Sequence, residues 1–337
     1  MRFASPRIAA FAVAVSMPLG APLGAAEPAF PPGNVYGQDV SGAPLDAQSS
    51  AVISWLDAQG GWGLGRLQID FSLEVLEADS STPFQSFIAT SDFYVPDCDN
   101  AAVPVPPGGA LEGESGYACT NGGDCHLIVW YKPSQLLYEM WRADIQGGTF
   151  HGGCLAIWSL ATAPPPTGRG DQCTSADAAG LPIAPLLFSA DEVAAGSIPH
   201  AVRFALPNSR IRNRTYVRPG THATGAASGG TSAPPYGARL RLRPDYPVAS
   251  LPSAGARVVA QALQRYGMIL ADGGNVALMG RSDRFTAAKW SGLLGALDLA
   301  SLKVTDFQMV DSGARFAWNG DCIRNLGPPG MPEIASP

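Results

Sequence analysis

RLQIDFSLEVLEA, residues 66–78, is the stretch of sequence that decides the fold. Apolar and polar side chains alternate along it, with Leu67, Ile69, Phe71, Leu73 and Val75 set against Gln68, Asp70, Ser72 and Glu74. Successive side chains of a β-strand point to opposite faces of its sheet. The alternation therefore predicts a sheet with one face on the core and the other in water.

Shorter, continuously apolar runs follow and predict strands buried on both faces, at residues 125–131, 135–141 and 154–160. Alternation returns at residues 200–206, 211–217 and 238–244, and a hairpin is predicted at 268–280. Helices are predicted at 189–196, where Ser189 and Glu192 have the spacing of a capping box, at 253–267 and at 284–297. With 39 Gly and 30 Pro as turn formers, we expect a mainly β fold. Its predicted form is an antiparallel β-sandwich or jelly-roll-like domain with a few peripheral helices.

The two ends of the chain differ from its middle. Arg2 and Arg7 precede an apolar run from Ile8 to Met17, and small residues precede Glu27, which is the layout of a signal peptide over 1–26. The run is shorter than the roughly 20 residues that cross a bilayer, so we predict a secreted or periplasmic protein without a membrane span. Residues 27–325 are predicted to form a single β-rich domain and 326–337 a flexible tail.

The chain has six cysteines, at positions 98, 119, 125, 154, 173 and 322. In an exported chain these predict disulfides rather than metal ligands or nucleophiles, and six cysteines allow fifteen pairings. Short sequence separation favours Cys154 with Cys173, and Cys98 with Cys119 or Cys125. No CxxC spacing occurs, which argues against a zinc ribbon.

Charge is unevenly distributed along the chain. From Asp39 to Glu192 there are nineteen acidic and four basic residues, whereas Val193 to Tyr266 contains ten arginines and one acidic residue. If the predicted strands are neighbours, strand parity places one group of side chains on a common face: Arg212, Arg214, Tyr216, Arg218, Arg239 and Arg241. Such a face, with Arg203 nearby, would bind an anionic ligand. The alternative is that these arginines pair with the acidic half of the same chain.

The candidate catalytic residues are few, because the chain has only four histidines. His200 and His222 lie at strand ends, where functional groups are often mounted, and His126 begins a buried strand. Glu139 shares an apolar strand face, so its pKa would be raised if it is buried without a partner. Tyr216 joins the catalytic set and Asp177 the binding set. The alternative for each histidine is a structural hydrogen bond, for Glu139 a salt bridge, and for Asp177 and Asp272 simple turn geometry.

Several catalytic motifs are absent: GxSxG, HExxH, a P-loop, GxGxxG opening a helix, and an EF-hand loop. The remaining histidine, arginine and tyrosine set suits β-elimination, in which arginine neutralises a uronate carboxylate and histidine or tyrosine moves protons. We therefore predict an exported enzyme acting on polysaccharide, a lyase or hydrolase of an acidic glycan. The alternatives are a non-catalytic carbohydrate-binding or cell-envelope protein, and a metal-dependent enzyme on a cupin-like scaffold. The sequence leaves the cofactor and any metal dependence open, and the net charge of −6 argues against nucleic acid.

Four segments, at 179–204, 218–225, 237–242 and 265–274, resemble a group of uncharacterised exported bacterial proteins. The likeness extends from about Gly37 to Val310. The shared motifs are AGLPIxP, DEVxxGxIxHAxRF and RYGMILADxG. The resemblance implies a shared architecture and a shared site near His200 and His222, without implying an activity.

Overall fold

The computed structural model describes residue 1 and residues 27–325. The rest of the predicted signal peptide and the predicted tail at 326–337 lie outside the described residues. The helices of the described part are α1 (Ser49–Ala58), α2 (Ala190–Ala195) and α3 (Ala254–Arg265). Its strands are β1 (Ile69–Leu73), β2 (Leu76–Ala78), β3 (Phe84–Gln85), β4 (Ile88–Ala89), β5 (Val103–Pro104), β6 (Leu127–Tyr131), β7 (Leu136–Met140), β8 (Asp144–Gln146), β9 (Thr149–Gly152), β10 (Leu155–Ser159), β11 (Gly170–Asp171), β12 (Val202–Leu206), β13 (Thr215–Val217), β14 (Arg239–Leu242), β15 (Met268–Gly273), β16 (Leu278–Arg281), β17 (Phe307–Met309), β18 (Arg315–Ala317) and β19 (Ile323–Arg324).

Two sheets dominate the architecture. The larger has six strands in the order β1-β16-β12-β15-β14-β17, and the smaller has four in the order β10-β7-β6-β2. Most neighbouring strands are antiparallel, but β1 with β16, β12 with β15, and β2 with β6 run parallel. The predicted fold class is confirmed: the protein is mainly β, with its helices at the periphery.

The stretch at 66–78 joins these two sheets. Its first part is β1, in which Ile69 pairs with Leu278 of the larger sheet, and its second part is β2, in which Leu76 pairs with Val129 of the smaller sheet. The chain leaves one sheet and enters the other at residues 74–75. The alternating apolar residues from Leu67 to Val75 belong to the main core, whereas Leu76 and Ala78 belong to the second core.

The smaller sheet is buried on both faces, as the continuous apolar runs predict. Ile128, Leu137 and Trp158 belong to the main hydrophobic core, which also contains the larger sheet. Val129 and Tyr138, on the opposite face, belong to a second core. Two layers of apolar side chains thus fix the position of this sheet.

Two sequence predictions about the C-terminal part are wrong. β15 and β16 do not form a hairpin, because β12 lies between them in the sheet. Residues 284–297 are not helical, because the amides of Ala287 and Ala288 donate to the Asp191 carboxylate and that of Trp290 to Asp283. These bonds hold irregular backbone in place. The capping box of Ser189 and Glu192, by contrast, is confirmed at the start of α2.

All six cysteines form disulfides, as predicted, but the pairing suggested by short separation is wrong. The bonds join Cys98 to Cys154, Cys119 to Cys125, and Cys173 to Cys322. Fold geometry brings Cys173 to Cys322 across 149 residues of sequence. Among residue 1 and residues 27–325, no helix has both the length and the apolar character needed to span a bilayer.

Candidate functional site

Polar groups converge on a cleft of about 600 Å³ in the described part of the chain. Trp141, Tyr236 and Trp318 contribute to its walls, and the exposed Tyr94 lies at its rim. Its acidic and imidazole lining residues are Asp97, Asp124, Asp177, His222 and Asp272. Aromatic walls with a few convergent polar groups are typical of ligand sites.

One side of the cleft is built on residues 174–184, TSADAAGLPIA, which we name the site loop. Asp177 organises this loop, because its Oδ1 accepts hydrogen bonds from Ala179 N at 2.9 Å and Leu181 N at 3.4 Å. Gly180 has a φ of +73°, and a Cβ there would lie 2.2 Å from Thr221 Oγ1. The tight turn therefore requires glycine.

A β-bulge aims Asp272 at the site. In the pairing of β12 with β15, Phe204 is opposite Leu270 but Ala205 is opposite Asp272, so Ala271 is the extra residue. Arg203 and Ala205 share a strand face, and the bulge puts Asp272 on that face as well. Re-aiming a side chain in this way is a common role of bulges beside functional sites.

Arg203 links two carboxylates of the cleft. Its Nη2 lies 2.5 Å from Asp177 Oδ2 and 3.5 Å from Asp272 Oδ2. The Asp177 side chain has 0% of its surface exposed, whereas that of Asp272 has 24%. Asp177 is therefore the structural partner of Arg203, and Asp272 is the carboxyl group that a ligand can reach.

Burial raises the pKa of both carboxyls, and the charge of Asp177 raises that of Asp272 further, while Arg203 acts in the opposite direction. The proton belongs on Asp272, because Asp177 has the shorter contact with Arg203 and accepts two backbone N–H groups. Asp272 accepts only one, from Gly273. The cleft thus contains a carboxylic acid held near an ionised neighbour, a recurring arrangement for proton transfer.

His222 is the histidine of the cleft. Its Nδ1 lies 2.7 Å from the Ala178 carbonyl of the site loop, which fixes the Nδ1–H tautomer, and its ring packs edge-on against Trp318. Within the described residues, Nε2 has no hydrogen-bond partner. Burial lowers the pKa of His222, so the ring is neutral and Nε2 is a free proton acceptor in the cleft.

The predicted catalytic role of His126 is not supported by its contacts. Its Nδ1 lies 2.6 Å from Glu112 Oε2 and its Nε2 lies 3.0 Å from the Ala176 carbonyl. Both partners are acceptors, so the ring satisfies them only when doubly protonated. Burial disfavours that charge, but Glu112 outweighs it and raises the pKa of His126 to about 9, while the pKa of Glu112 falls to about 2. His126 is a buried cation that holds the site loop.

His200 has the same kind of environment elsewhere. Its Nδ1 lies 2.8 Å from the Ala201 carbonyl and its Nε2 lies 3.1 Å from Glu192 Oε1. Burial opposes the charge, yet Glu192 raises the pKa of His200. It lines a separate, mostly apolar hollow of about 350 Å³ beside Glu27 and Pro28. His200 and His222 therefore do not converge, contrary to the prediction of one site near both.

Glu139 and Tyr216 are also outside the cleft. The Glu139 carboxylate accepts hydrogen bonds from Ile183 N, Ala184 N and Trp158 Nε1 at 2.7–3.0 Å, so it anchors the far end of the site loop. Burial raises its pKa to about 7, and those donors oppose the rise. Tyr216 is buried, with its ring stacked on Phe316 and its hydroxyl 3.3 Å from Asp171. Neither has an open path to a substrate.

The predicted basic face does not form. Residues 211–217 do not make one strand, because Arg214 has a φ of 43° and only Thr215–Val217 is extended in a sheet. Arg214 lies over the Trp318 ring, Arg218 pairs with Asp171, and Arg212 donates to the Ala233 and Thr231 carbonyls. With the alternation interrupted, these side chains point to different partners.

Arg239 and Arg241 are likewise occupied within the chain. Arg239 donates to the carbonyls of Tyr266, Val35, Tyr36 and Gln38, and Arg241 donates to those of Val40, Ser41 and Ala43. They tie residues 35–43 to β14. The alternative prediction, that these arginines have partners within the chain, therefore fits better than an anion-binding face. Most of the partners are backbone carbonyls rather than carboxylates.

Of the predicted site residues, Asp177 and His222 line the cleft, and Arg203 lies directly behind it. His126, Glu139 and Arg203 converge on the site loop from its buried side. The sequence predicts only a turn role for Asp272, because residue spacing does not reveal the β-bulge that turns its side chain toward the cleft. The aromatic walls and the acidic residues Asp97 and Asp124 were missed because they come from loops far apart in the chain.

Metal-ligating groups in the described part of the chain give no support to the metal-enzyme alternative. Two clusters have metal-like spacing, Asp97 with Cys173 and Cys322, and Glu114 with Cys119 and Cys125. In each, the two cysteines are joined to one another as a disulfide, so neither can supply a thiolate.

Fold and site together define a mainly β protein with an aromatic cleft that pairs a neutral histidine with a carboxylic acid. No family model, no curated protein and no solved structure matches this chain.

Proposed function

We propose that the protein is an exported enzyme that hydrolyses glycosidic bonds of a polysaccharide in this cleft. Asp272 is its general acid and His222 its general base. The observation that carries the proposal is the presence, in one cleft, of a carboxyl group with a raised pKa and an imidazole with a free Nε2. Three disulfides and the predicted signal peptide support export.

In the proposed reaction Asp272 donates a proton and His222 accepts one. Asp272 gives its proton to the glycosidic oxygen as the bond from that oxygen to the anomeric carbon breaks. A water molecule attacks the anomeric carbon and loses a proton to His222 Nε2. The products are two shorter glycans, and return of the proton from His222 to Asp272 through solvent restores the site.

Hydrolysis is favoured over uronate elimination by the charge of the cleft. Elimination needs a cation to neutralise the uronate carboxylate. None of the described lining residues is Arg or Lys, and four are Asp. Arg203 is already occupied by Asp177 and Asp272. The lyase of acidic glycans expected from the sequence therefore has little support in this cleft.

A non-catalytic carbohydrate-binding protein is the second candidate. Trp141, Trp318 and the exposed Tyr94 provide ring faces and edges of the kind that pack against sugar rings. This candidate needs no proton transfer, so it does not account for the raised pKa of Asp272 or the open Nε2 of His222.

The test is incubation of the purified protein with neutral, amino-sugar and uronate polysaccharides, followed by assay of new reducing ends and of unsaturated uronates. We expect reducing ends without unsaturation, and a kcat lower by about 10²–10⁴-fold in Asp272→Asn and His222→Gln. The matched controls are Asp57→Asn and His151→Gln, which change exposed residues away from the cleft. Unsaturated products would show that the reaction is elimination and not hydrolysis. Binding without any product would favour the second candidate.

A further inference from the structure

The net charge of the cleft bears on which sugar it accepts. Among its four aspartates, Asp177 is neutralised by Arg203 at 2.5 Å, and burial together with the charge of Asp177 raises the pKa of Asp272. Asp97 and Asp124 remain. Asp97 Oδ2 accepts one hydrogen bond from Thr174 N at 2.8 Å, and the exposed Asp124 side chain accepts none from the described residues.

The charge of Asp124 acts on the His126 cation and that of Asp97 acts on Arg169, but His126 is paired with Glu112 and Arg169 with Asp99. Other cations of the described residues near the cleft are engaged as well. Arg142 pairs with Asp92 and lies over the Trp141 ring, Arg214 lies over Trp318, and Arg324 pairs with Asp99. The part of the cleft formed by Asp97 and Asp124 is therefore negative.

A half-buried polar group also lines the cleft, and it has no hydrogen-bond partner among the described residues. His222 Nε2 is an acceptor, and its neutral ring adds no positive charge to the site. A cationic ligand would meet no repulsion there, and it would find a hydrogen-bond acceptor and two carboxylates together. An anionic ligand would be repelled by the two carboxylates.

We infer that the cleft selects a glycan carrying free, positively charged amino groups, with Asp97 and Asp124 as the carboxylates that receive the ammonium. This inference rests on the proposed function, since it names the substrate class of the same site. An ammonium is a compact charge with three N–H donors, so it can contact two separate carboxylates at once. A guanidinium, with its fixed planar fork, suits a single carboxylate better. The exposed Tyr94 of the cleft provides a ring that can pack against the sugar.

The test compares three probes of equal length, a glucosamine oligosaccharide, its N-acetylated counterpart and a uronate oligosaccharide, by calorimetric binding to the wild-type chain. We expect the amino oligosaccharide to bind best and to weaken as salt is raised. Asp124→Asn and Asp97→Asn should each weaken it by up to about fivefold, as loss of one partly exposed charge contact implies. Asp57→Asn is the charge-matched control and should leave binding unchanged.

Equal binding of the N-acetylated probe, or full binding by the double variant Asp97→Asn with Asp124→Asn, would overturn the inference. Cleavage assays separate this result from failure of the proposed function. If N-acetylated glycan is cleaved as well as the amino form, hydrolysis stands and the amino selectivity fails. If no glycan is cleaved but the amino probe binds selectively through Asp97 and Asp124, the selectivity stands and the hydrolase fails.

Discussion

His126 and His222 touch the same short loop from opposite sides, and they differ in how many acceptors surround the ring. His126 lies between a carboxylate and a carbonyl, both of which require a donor. His222 contacts one carbonyl through Nδ1, and its Nε2 has no partner among the described residues. The first arrangement fixes a structural cation, and the second leaves a neutral base. The number of acceptors, more than the depth of burial, decides what each histidine can do.

Among the variants that test this difference between the two histidines, Glu112→Gln should have the largest effect on the free energy of unfolding. Glu112→Gln removes the charge that pairs with His126 and leaves a buried ring without its counter-ion. We expect the free energy of unfolding, measured by urea denaturation at pH 7, to fall by about 3 kcal/mol. The matched control is Glu77→Gln, because the pair of Glu77 with Lys132 is exposed, and its loss should cost under about 1 kcal/mol. A loss as small as the control's at Glu112 would mean that His126 is neutral.

The pH dependence of stability follows from the same pair. The pKa of His126 is raised to about 9 in the folded chain, above an unfolded value near 6.5. The folded state therefore binds more protons between these values, and its stabilisation is complete below pH 6.5 and is lost as pH rises through 9. The expected loss is up to about 3 kcal/mol, since each pKa unit corresponds to about 1.4 kcal/mol. Denaturation at several pH values measures it, and Glu112→Gln should flatten the slope.

Replacing Asp272 or Asp177 by asparagine should change the free energy of unfolding in opposite directions. Because the pKa of Asp272 is raised, its ionisation costs stability as pH rises above the unfolded value, and that cost is complete above the folded pKa. Asp272→Asn should therefore raise the free energy of unfolding at pH 8 by about 1 kcal/mol. Asp177→Asn should lower it, because Arg203 loses its closest partner and the site loop loses the acceptor of two amides. Destabilisation by both variants would show that Asp272, too, serves the fold.

Sequence periodicity predicts many of the strands and helices of this fold, because the burial of each side chain determines whether its position is apolar or polar. The apolar runs of β6, β7 and β10 and the capping box of α2 depend on local residues, and all are present. The division of 66–78 between two sheets, the insertion of β12 between β15 and β16, and the disulfide of Cys173 with Cys322 depend on tertiary pairing. A period of two carries no information about which strand becomes the neighbour.

The site was less predictable for the same reason. Parity placed the arginines of 211–218 on one face, but a positive φ at Arg214 broke the alternation. A bulge at Ala271 brought Asp272 to the face of Arg203, a change that residue spacing alone cannot reveal. His222 was found because a histidine just past a strand end was a sound candidate. The sequence could not tell it apart from His200, whose second acceptor comes from α2.

The smallest expected effect on stability, and the sharpest test of the comparison, is at His222. Its pKa is lowered, so the folded state disfavours its proton, and its contribution to stability is present above pH 6.5 and is lost as pH falls below that value. His222→Gln should cost only about 1 kcal/mol at pH 7, the value of one hydrogen bond to Ala178. NMR titration of the ring signals should then find His126 cationic at pH 7.5, and His222 neutral with its proton on Nδ1. A cationic His222 at that pH would remove the general base from the cleft, because Nε2 would carry a proton and have nothing left to accept.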